Sequence, residues 1–509
     1  MKRKTLVFEL APPLALGLLL GWVYWRTLLP GVGYWGDMAK FQFLGQVLGT
    51  PHLSGYPTYV ILNALFVRLA PFGSLALRAN LLSALFGVGA ALFLYAAMRR
   101  LGISAGAAFL AALSFGFTYS IWEFSLAAEV YSLHAFFVAA VIFWMLCWHF
   151  SRRDRYLYLA CGFYAFSFGN HLTMIALLPA IVYLVWVTDR TVFWSGRRIL
   201  VIGSLIVLAF AQYGYIAWRT LDPQVRFLEI DTATLLEFMR RPWGSQSAFK
   251  AGFWELLRQR LPAFLGYTWR EYSLLLAAAL WGVFRLRPPA VNRFLLLGLG
   301  GALLFGLNFD VRETWVYFLP VYEILAIYLG AAIHDLAQRL EAGLRRAAAA
   351  RSGRLAAWAG RRAGWLALLP WLAAPLLLLG LHYQALDQSQ HVLHARIVER
   401  ALTEAGSRAI LVADEYDYLN YFWYYLLGEG YEQRRLYATS LQLTHPEQLR
   451  SYLAGSEPLR IPVVRQQAPS GLRVLALWRL ADRLRQEGFS VRPTGVKYLV
   501  EVTLPGAAP

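Results

Sequence analysis

Apolar stretches of span-like length, several of them short, recur along the first three quarters of the chain, and they limit its fold more than any other feature. They fall at about 5–26, 77–98, 104–121, 131–150, 156–169, 171–188, 199–217, 272–286, 293–309, 317–337 and 364–383. That makes about eleven, at roughly twenty residues per crossing. A bilayer core offers no partner for backbone N–H and C=O groups, so such a chain crosses as helices. Composition agrees, with 58% of the 509 residues hydrophobic and 15% charged, a balance outside the usual soluble range. The expected fold class is an all-α polytopic membrane protein.

The formal charge of +18 suggests nucleic acid only until the arginines are located. They sit in alternate connectors: Lys2-Arg3-Lys4, Arg99-Arg100, Arg152-Arg153-Arg155, Arg197-Arg198, Arg285-Arg287-Arg293 and Arg339 to Arg362, where seven occur. The connectors between them hold almost none. Trp122–Val130 and Gly169–His171 have no basic residue, and Asp310–Val316 has only Arg312. This is the positive-inside pattern. It puts the N-terminus in the cytoplasm and, with an odd number of spans, the C-terminal segment outside. No basic stripe interleaves with aromatics, so nucleic acid is not expected as a partner. The two cysteines, Cys147 and Cys161, lie in apolar runs and read as small core residues, with no disulfide framework or zinc spacing. No small-residue cleavage pattern precedes Gly33, so the first run reads as a retained helix.

The reading gives a transmembrane domain over 1–385, with outer-face loops at about 27–76 and 218–271, and an extracytoplasmic domain over 386–509. After Asp37, the apolar residues Met38, Phe41, Leu44, Val47 and Leu48 recur at helical spacing, with Lys40, Gln42 and Gln46 on the other side. This predicts an amphipathic helix at the membrane surface, and Tyr59–Leu69 reads as a second one or a re-entrant piece. In the tail, RAILVA, RRLYAT, IPVV and KYLVEVTL read as strands, and Glu447–Leu453 and Ala476–Gln486 as helices. Together they predict a small α/β domain.

Polar residues gather on the outer side: Asp37, Arg78, Glu123 and Glu129, Asn170-His171, then Asp310, Arg312 and Glu313. Ionisable groups near a bilayer are costly unless paired or set in an aqueous cavity, so each is a functional candidate. Each also has a structural reading. Asp37 can cap the following helix, Glu129 can be a solvated turn residue, His171 an interfacial histidine, and Arg78 and Arg312 anchors to lipid phosphate. As a set they suit chemistry on a lipid-linked phosphate. A carboxylate can take the proton of an incoming hydroxyl, and an arginine can hold a leaving phosphate. A solute carrier would place its charges at mid-bilayer on broken helices and in related repeats. Here the middles of the spans are almost uncharged.

Motif order adds a resemblance. Gly36-Asp37 is followed by His52-Leu53-Ser54-Gly55-Tyr56-Pro57, Arg78-Ala79-Asn80-Leu81-Leu82-Ser83, Glu129-Val130-Tyr131, Gly169-Asn170-His171-Leu172 and Tyr317-Phe318-Leu319-Pro320. The set resembles the GT-C superfamily of membrane glycosyltransferases, and within it the protein O-mannosyltransferase-related family, across about residues 30–335. Leu53-Ser54 stands where that family has Pro-Pro, which loosens the turn. No Asp-x-Asp pair follows Asp37, so a nucleotide-sugar donor on a bound metal is not suggested.

The resemblance implies transfer of a sugar, mannose first among candidates, from a polyprenyl-phosphate donor to an acceptor hydroxyl on a protein, lipid or glycan at the outer face, with inversion. It implies Asp37 as general base and Glu129 as a second acid. Arg78 or Arg312 would hold the phosphate, and His52 and His171 would line the pocket with Tyr56, Asn170 and Tyr317. It calls for no cofactor and leaves a divalent metal open. The alternatives are a flippase for lipid-linked sugars and a non-catalytic scaffold of the same fold.

Overall fold

The computed structural model describes residues 2–33, 35–240, 253–309, 314–413, 416–495 and 498–506. Arg312, with Asp310 and Glu313, lies outside them, as do the Pro-Trp-Gly turn at 242–244 and the acidic pair Asp414-Glu415. Each expected apolar run is helical. The membrane part consists of α1 (Lys2–Thr27), α2 (Met38–Val47), α3 (Pro57–Leu69), α4 (Leu75–Arg100), α5 (Ala105–Gly116), α6 (Tyr119–Glu123), α7 (Val130–Ser151), α8 (Asp154–Ser167) and α9 (Leu178–Asp189). It continues with α10 (Gly196–Phe210), α11 (Gly214–Leu221), α12 (Thr232–Arg240), α13 (Phe253–Tyr272), α14 (Leu275–Arg285), α15 (Pro289–Asn308), α16 (Leu319–Ala349), α17 (Arg354–Leu368) and α18 (Ala373–Leu386).

Among the described residues, seven helical runs are long and apolar enough to cross a membrane: Leu75–Arg100, Val130–Ser151, Leu172–Phe193, Gly196–Leu221, Pro289–Asn308, Thr314–Ala349 and Arg354–Leu386. Two of the remaining expected crossings, α5 and α14, are shorter apolar helices. The helix starts carry their own signals. Ser74 and Ser104 accept hydrogen bonds from Leu77 and Ala107 N–H to cap α4 and α5, and proline occupies the first turn of α3 and α16.

The arginines mark one end of the bundle. Arg198, at the start of α10, pairs with Asp154 at the start of α8 and Asp189 at the end of α9, both at 2.9 Å. Arg285, at the end of α14, reaches Asp335 on α16 at 2.7 Å. The helices alternate in direction, so Asp37, Glu129, His171 and Tyr317 all fall at the other end.

The tail continues with α19 (Leu393–Ala405), β1 (Ala409–Ala413), α20 (Tyr416–Trp423), β2 (Leu436–Ser440), α21 (Pro446–Leu453), β3 (Leu459–Ile461), β4 (Gln466–Ala468), β5 (Arg473–Leu477), α22 (Ala481–Gln486), β6 (Ser490–Pro493) and β7 (Leu499–Thr503). The main sheet has the order β2-β1-β5-β7-β6. Strand β1 runs parallel to β2 and β5, and β7 is antiparallel to β5 and β6. All five residues of β1 are buried, as its unbroken apolar run requires of a central parallel strand. Two details differ from expectation. Ala476 and Leu477 end β5, so the following helix starts at Ala481, and of IPVV only Ile461 joins a strand.

The tail is seated on the membrane part. Leu228 N–H bonds Val463 C=O at 2.8 Å, and Gln388 N–H bonds Thr27 C=O at 3.0 Å. After α20 a single π-helical turn, Tyr424–Gly428, presses on α2. A Cβ added to Gly428 would come within 2.9 Å of Leu75 Cδ2 and 3.0 Å of Phe43 Cβ. Glycine permits that approach.

Candidate active site

Helix α2 departs most from the reading of its sequence. Lys40 and Gln42 were expected on a wet face, but both are fully buried. The helix is enclosed by α3, α4 and the π turn, and its polar side chains find partners there. Gln42 accepts from Gly33 N–H at 3.0 Å and donates to Gly31 C=O at 3.1 Å and Asn80 Oδ1 at 2.8 Å. Asn80 donates to Leu29 C=O at 2.9 Å and accepts from Ala128 N–H at 2.8 Å. These two amides clamp the loop that carries Asp37.

Asp37 precedes α2 in the N-cap position but makes no side-chain cap bond. Its carboxylate turns to Lys40, with Oδ1 2.9 Å from Nζ, and its Oδ2 lies 3.6 Å from His52 Nε2. Lys40 Nζ also meets Glu229 Oε2 at 2.9 Å and His52 Nδ1 at 3.1 Å. An ammonium has no lone pair, so Nδ1 accepts and the neutral ring carries its proton on Nε2. Glu229 also accepts from His52 N–H at 2.7 Å, and Tyr56 OH lies 3.2 Å from His52 Nε2.

Burial opposes charge on Asp37, but Lys40 and His52 together outweigh it and hold the carboxyl below its ordinary range. Burial and Lys40 likewise hold His52 below the ordinary histidine value. The ring is therefore neutral at neutral pH, as its accepted bond requires.

Glu229 was not anticipated. It stands in the second outer loop, tied by Thr50 N–H to Phe227 C=O at 3.1 Å, Glu229 N–H to Thr50 C=O at 2.8 Å and Thr50 Oγ1 to Ile230 C=O at 2.7 Å. Nothing local in the sequence marks it, since its partners lie near residue 40.

His52 and Tyr56 open onto a cavity of about 480 Å³, lined also by Phe168, His171, Ile175, Phe305, Phe309 and Tyr317. Four expected residues therefore share one chamber: His52, Tyr56, His171 and Tyr317. The His171 ring lies 5.7 Å from Tyr317 and 6.5 Å from Tyr56. Tyr56 holds φ +44° at the start of α3, a left-handed conformation that costs a bulky residue about 1–3 kcal/mol. Strain of this kind gathers where a side chain has to be aimed.

The other expected residues take different places. Glu129 is buried at the start of α7, its backbone N–H bonded to Ser83 Oγ at 3.2 Å. It is not a solvated turn residue. Asn170 donates to Val130 C=O at 3.0 Å and ties two helix ends together. Arg78 does not line the cavity. Its guanidinium bonds the carbonyls of Val67, Ala70 and Ser74, because the last turn of α3 leaves acceptors open.

A different arginine is poised. Arg270, on α13, lies 3.8 Å above the Tyr119 ring and 5.7 Å from the rings of Tyr267 and Trp315. Its Nε and Nη2 are buried without a hydrogen bond among the described residues, and Glu271 Oε1 lies 3.6 Å from Nη2. Trp315 shares one 3₁₀ turn, Thr314–Phe318, with the cavity-lining Tyr317. Among the described residues no three His, Cys, Asp or Glu side chains are arranged to hold a metal ion.

The segment carrying most of this geometry has known relatives. Residues 37–194 match the family model of the protein O-mannosyl-transferase TMEM260 N-terminal domain. Over 114 residues the chain is 41% identical to protein O-mannosyl-transferase TMEM260 of Mus musculus, covering 22% of this chain and 16% of that protein. The protein of the same name from Dictyostelium discoideum is 22% identical over 235 residues, 43% of this chain and 28% of that protein. The chain thus spans less than a third of the length of these curated relatives. ArnT from Cupriavidus metallidurans, solved bound to undecaprenyl phosphate, superposes with a TM-score of 0.64 at 14% identity over 99% of both chains. That is a likeness of fold, and it bears out the GT-C architecture that the motif order implied. The matched segment contains Asp37, Lys40, His52, Tyr56, Glu129 and His171, whereas Glu229, Arg270 and Tyr317 lie beyond it.

Proposed function

We propose that this chain is a glycosyltransferase that moves a sugar, mannose first among candidates, from a polyprenyl-phosphate donor to an acceptor hydroxyl at the extracytoplasmic face. The observation that carries the reading is an ionised carboxylate, Asp37, one histidine away from an apolar chamber at the arginine-poor end of the bundle. The family match over residues 37–194 supports sugar transfer. The fold shared with a protein solved on undecaprenyl phosphate supports an isoprenoid donor.

In this mechanism the donor's phosphate lies near Arg270, which takes the role expected for Arg78, and its chain lies among Phe168, Ile175, Phe305 and Phe309. Asp37 accepts the acceptor hydroxyl's proton as the oxygen attacks the anomeric carbon. The bond from that carbon to the phosphate oxygen breaks, and the phosphate leaves with the electron pair. Arg270, held in its aromatic box, offers two nitrogens to the growing charge. Attack opposite the leaving group inverts the anomeric centre. Glu129, buried at the start of α7, is a second acid that orients the acceptor or the base, while His171 and Tyr317 shape the chamber.

The test is transfer from radiolabelled polyprenyl-phosphate sugars by membranes carrying the wild type or Asp37→Asn. Transfer by the wild type and a loss of at least a hundredfold in the variant support the proposal. Equal turnover by both rejects Asp37 as base. No transfer in either, with lipid movement across the bilayer instead, favours the flippase.

A further inference from the structure

We propose that Lys40 is a built-in cation: its ammonium fixes Asp37 as the base and fills the position between Asp37 and Glu229 that a divalent metal would take, so that transfer needs no metal. The inference rests on the transferase reading above and concerns the same site. An ammonium has three protons. Among the described residues, three acceptors surround Lys40 Nζ: Asp37 Oδ1 at 2.9 Å, Glu229 Oε2 at 2.9 Å and His52 Nδ1 at 3.1 Å.

The side chain is fully buried, where an isolated charge is tolerated only in close pairing. Here one cation serves two carboxylates, the arrangement in which a metal ion often bridges acids. A divalent ion placed between the same oxygens would meet the ammonium at contact distance, like charge against like.

The choice of side chain points the same way. Only five of the chain's 48 basic residues are lysines, and arginine is used nearly everywhere else. A planar guanidinium cannot send three donors to three convergent acceptors from one atom, whereas a compact ammonium can.

Among the described residues, the charged or titratable groups at Asp37 are Lys40 from α2, His52 and Tyr56 from the loop before α3, and Glu229 through Lys40 from the second outer loop. Lys40 is a positioning residue. It touches the base and not the substrate.

The experiment uses the purified full chain in lipid nanodiscs. Transfer by the wild type after EDTA treatment is expected to be unchanged by added Mg²⁺ or Mn²⁺. Lys40→Met, uncharged and of similar length, is expected to lose at least tenfold at pH 6, with the acid limb of its pH–rate profile moved up by at least one unit. Lys40→Arg is expected to keep the limb low.

Ionisation is also read without turnover, from the infrared carboxylate band that Asp37→Asn removes. That band is expected to titrate at higher pH in Lys40→Met than in the wild type. An unmoved band overturns the proposal, as does a tenfold loss in EDTA that Mg²⁺ or Mn²⁺ restores. If the band moves but no donor is turned over, the transferase reading fails while the role of Lys40 stands.

Discussion

Asp37 was legible in the sequence because a lone acid beside a membrane span demands a reason. Its environment was not. Lys40 fell on the polar side of a helical wheel and was read as solvated, but the wheel cannot show that a second loop, far along the chain, closes over that side with a carboxylate. Arg78 and Asn80 give the converse lesson. The charged member of Arg-x-Asn drew the functional reading, yet it closes a helix end while the neutral Asn80 holds the loop of Asp37.

A pH dependence follows from the pairing. Because the folded carboxyl of Asp37 sits below its ordinary range, its pairing adds stability above the unfolded value, and that stability is lost as pH falls through the folded value. Asp37→Asn should therefore flatten the acid side of the melting curve below the ordinary carboxylate range and leave its slope near neutrality unchanged. Differential scanning calorimetry across pH reads this. For Arg270, the lysine variant keeps charge but loses the second donor. Its kcat/KM should fall about tenfold or more, one bidentate contact being worth about 1.5–3 kcal/mol, while the melting temperature stays within a degree or two.

At the level of elements, periodicity found the spans, but it could not separate a surface helix from a buried one when both carry apolar residues at helical spacing. The crossing of α2 on α3 shows why α2 is buried. A Cβ added to Gly45 would come within 2.6 Å of Ala64 N and 2.9 Å of Asn63 C, so the two backbones touch. Arg68 then seals α2 by donating to Gly45 C=O at 2.9 Å and Gln46 C=O at 3.0 Å. Gly45→Ala should force the helices apart and cost about 1–3 kcal/mol, seen as a lower melting temperature, with turnover falling because α2 carries Lys40. Strand β5 escaped the sequence reading for a related reason. LRVLAL is a short apolar run that fits a buried helix as well as a strand, and only pairing with β1 and β7 decides between them.

For the whole molecule, the alternation of arginines set a topology that the helix directions and the end-on ion pairs follow. Orientation relative to the cell can be checked by labelling. Ser456→Cys, exposed in the tail, should react with a membrane-impermeant maleimide on intact cells, and Ser352→Cys, exposed between α16 and α17, should react only after permeabilisation. The reverse pattern would remove the outer-face assignment. Glu229→Gln leaves Lys40 with one fewer carboxylate in a buried site and should destabilise the fold by about 3 kcal/mol. Denaturant titration of the purified chain measures this.

The distance in sequence between Lys40 and Glu229, 189 residues, also bears on how the protein is made. The Lys40 ammonium emerges from the ribosome long before the second of its carboxylate partners, with several helices to be threaded into the bilayer in between. Until Glu229 arrives, α2 has an incompletely matched charge to bury and every reason to stay in water. A half-synthesised chain would then lack a finished centre, and α2 would reach its buried seat only once the second outer loop is in place.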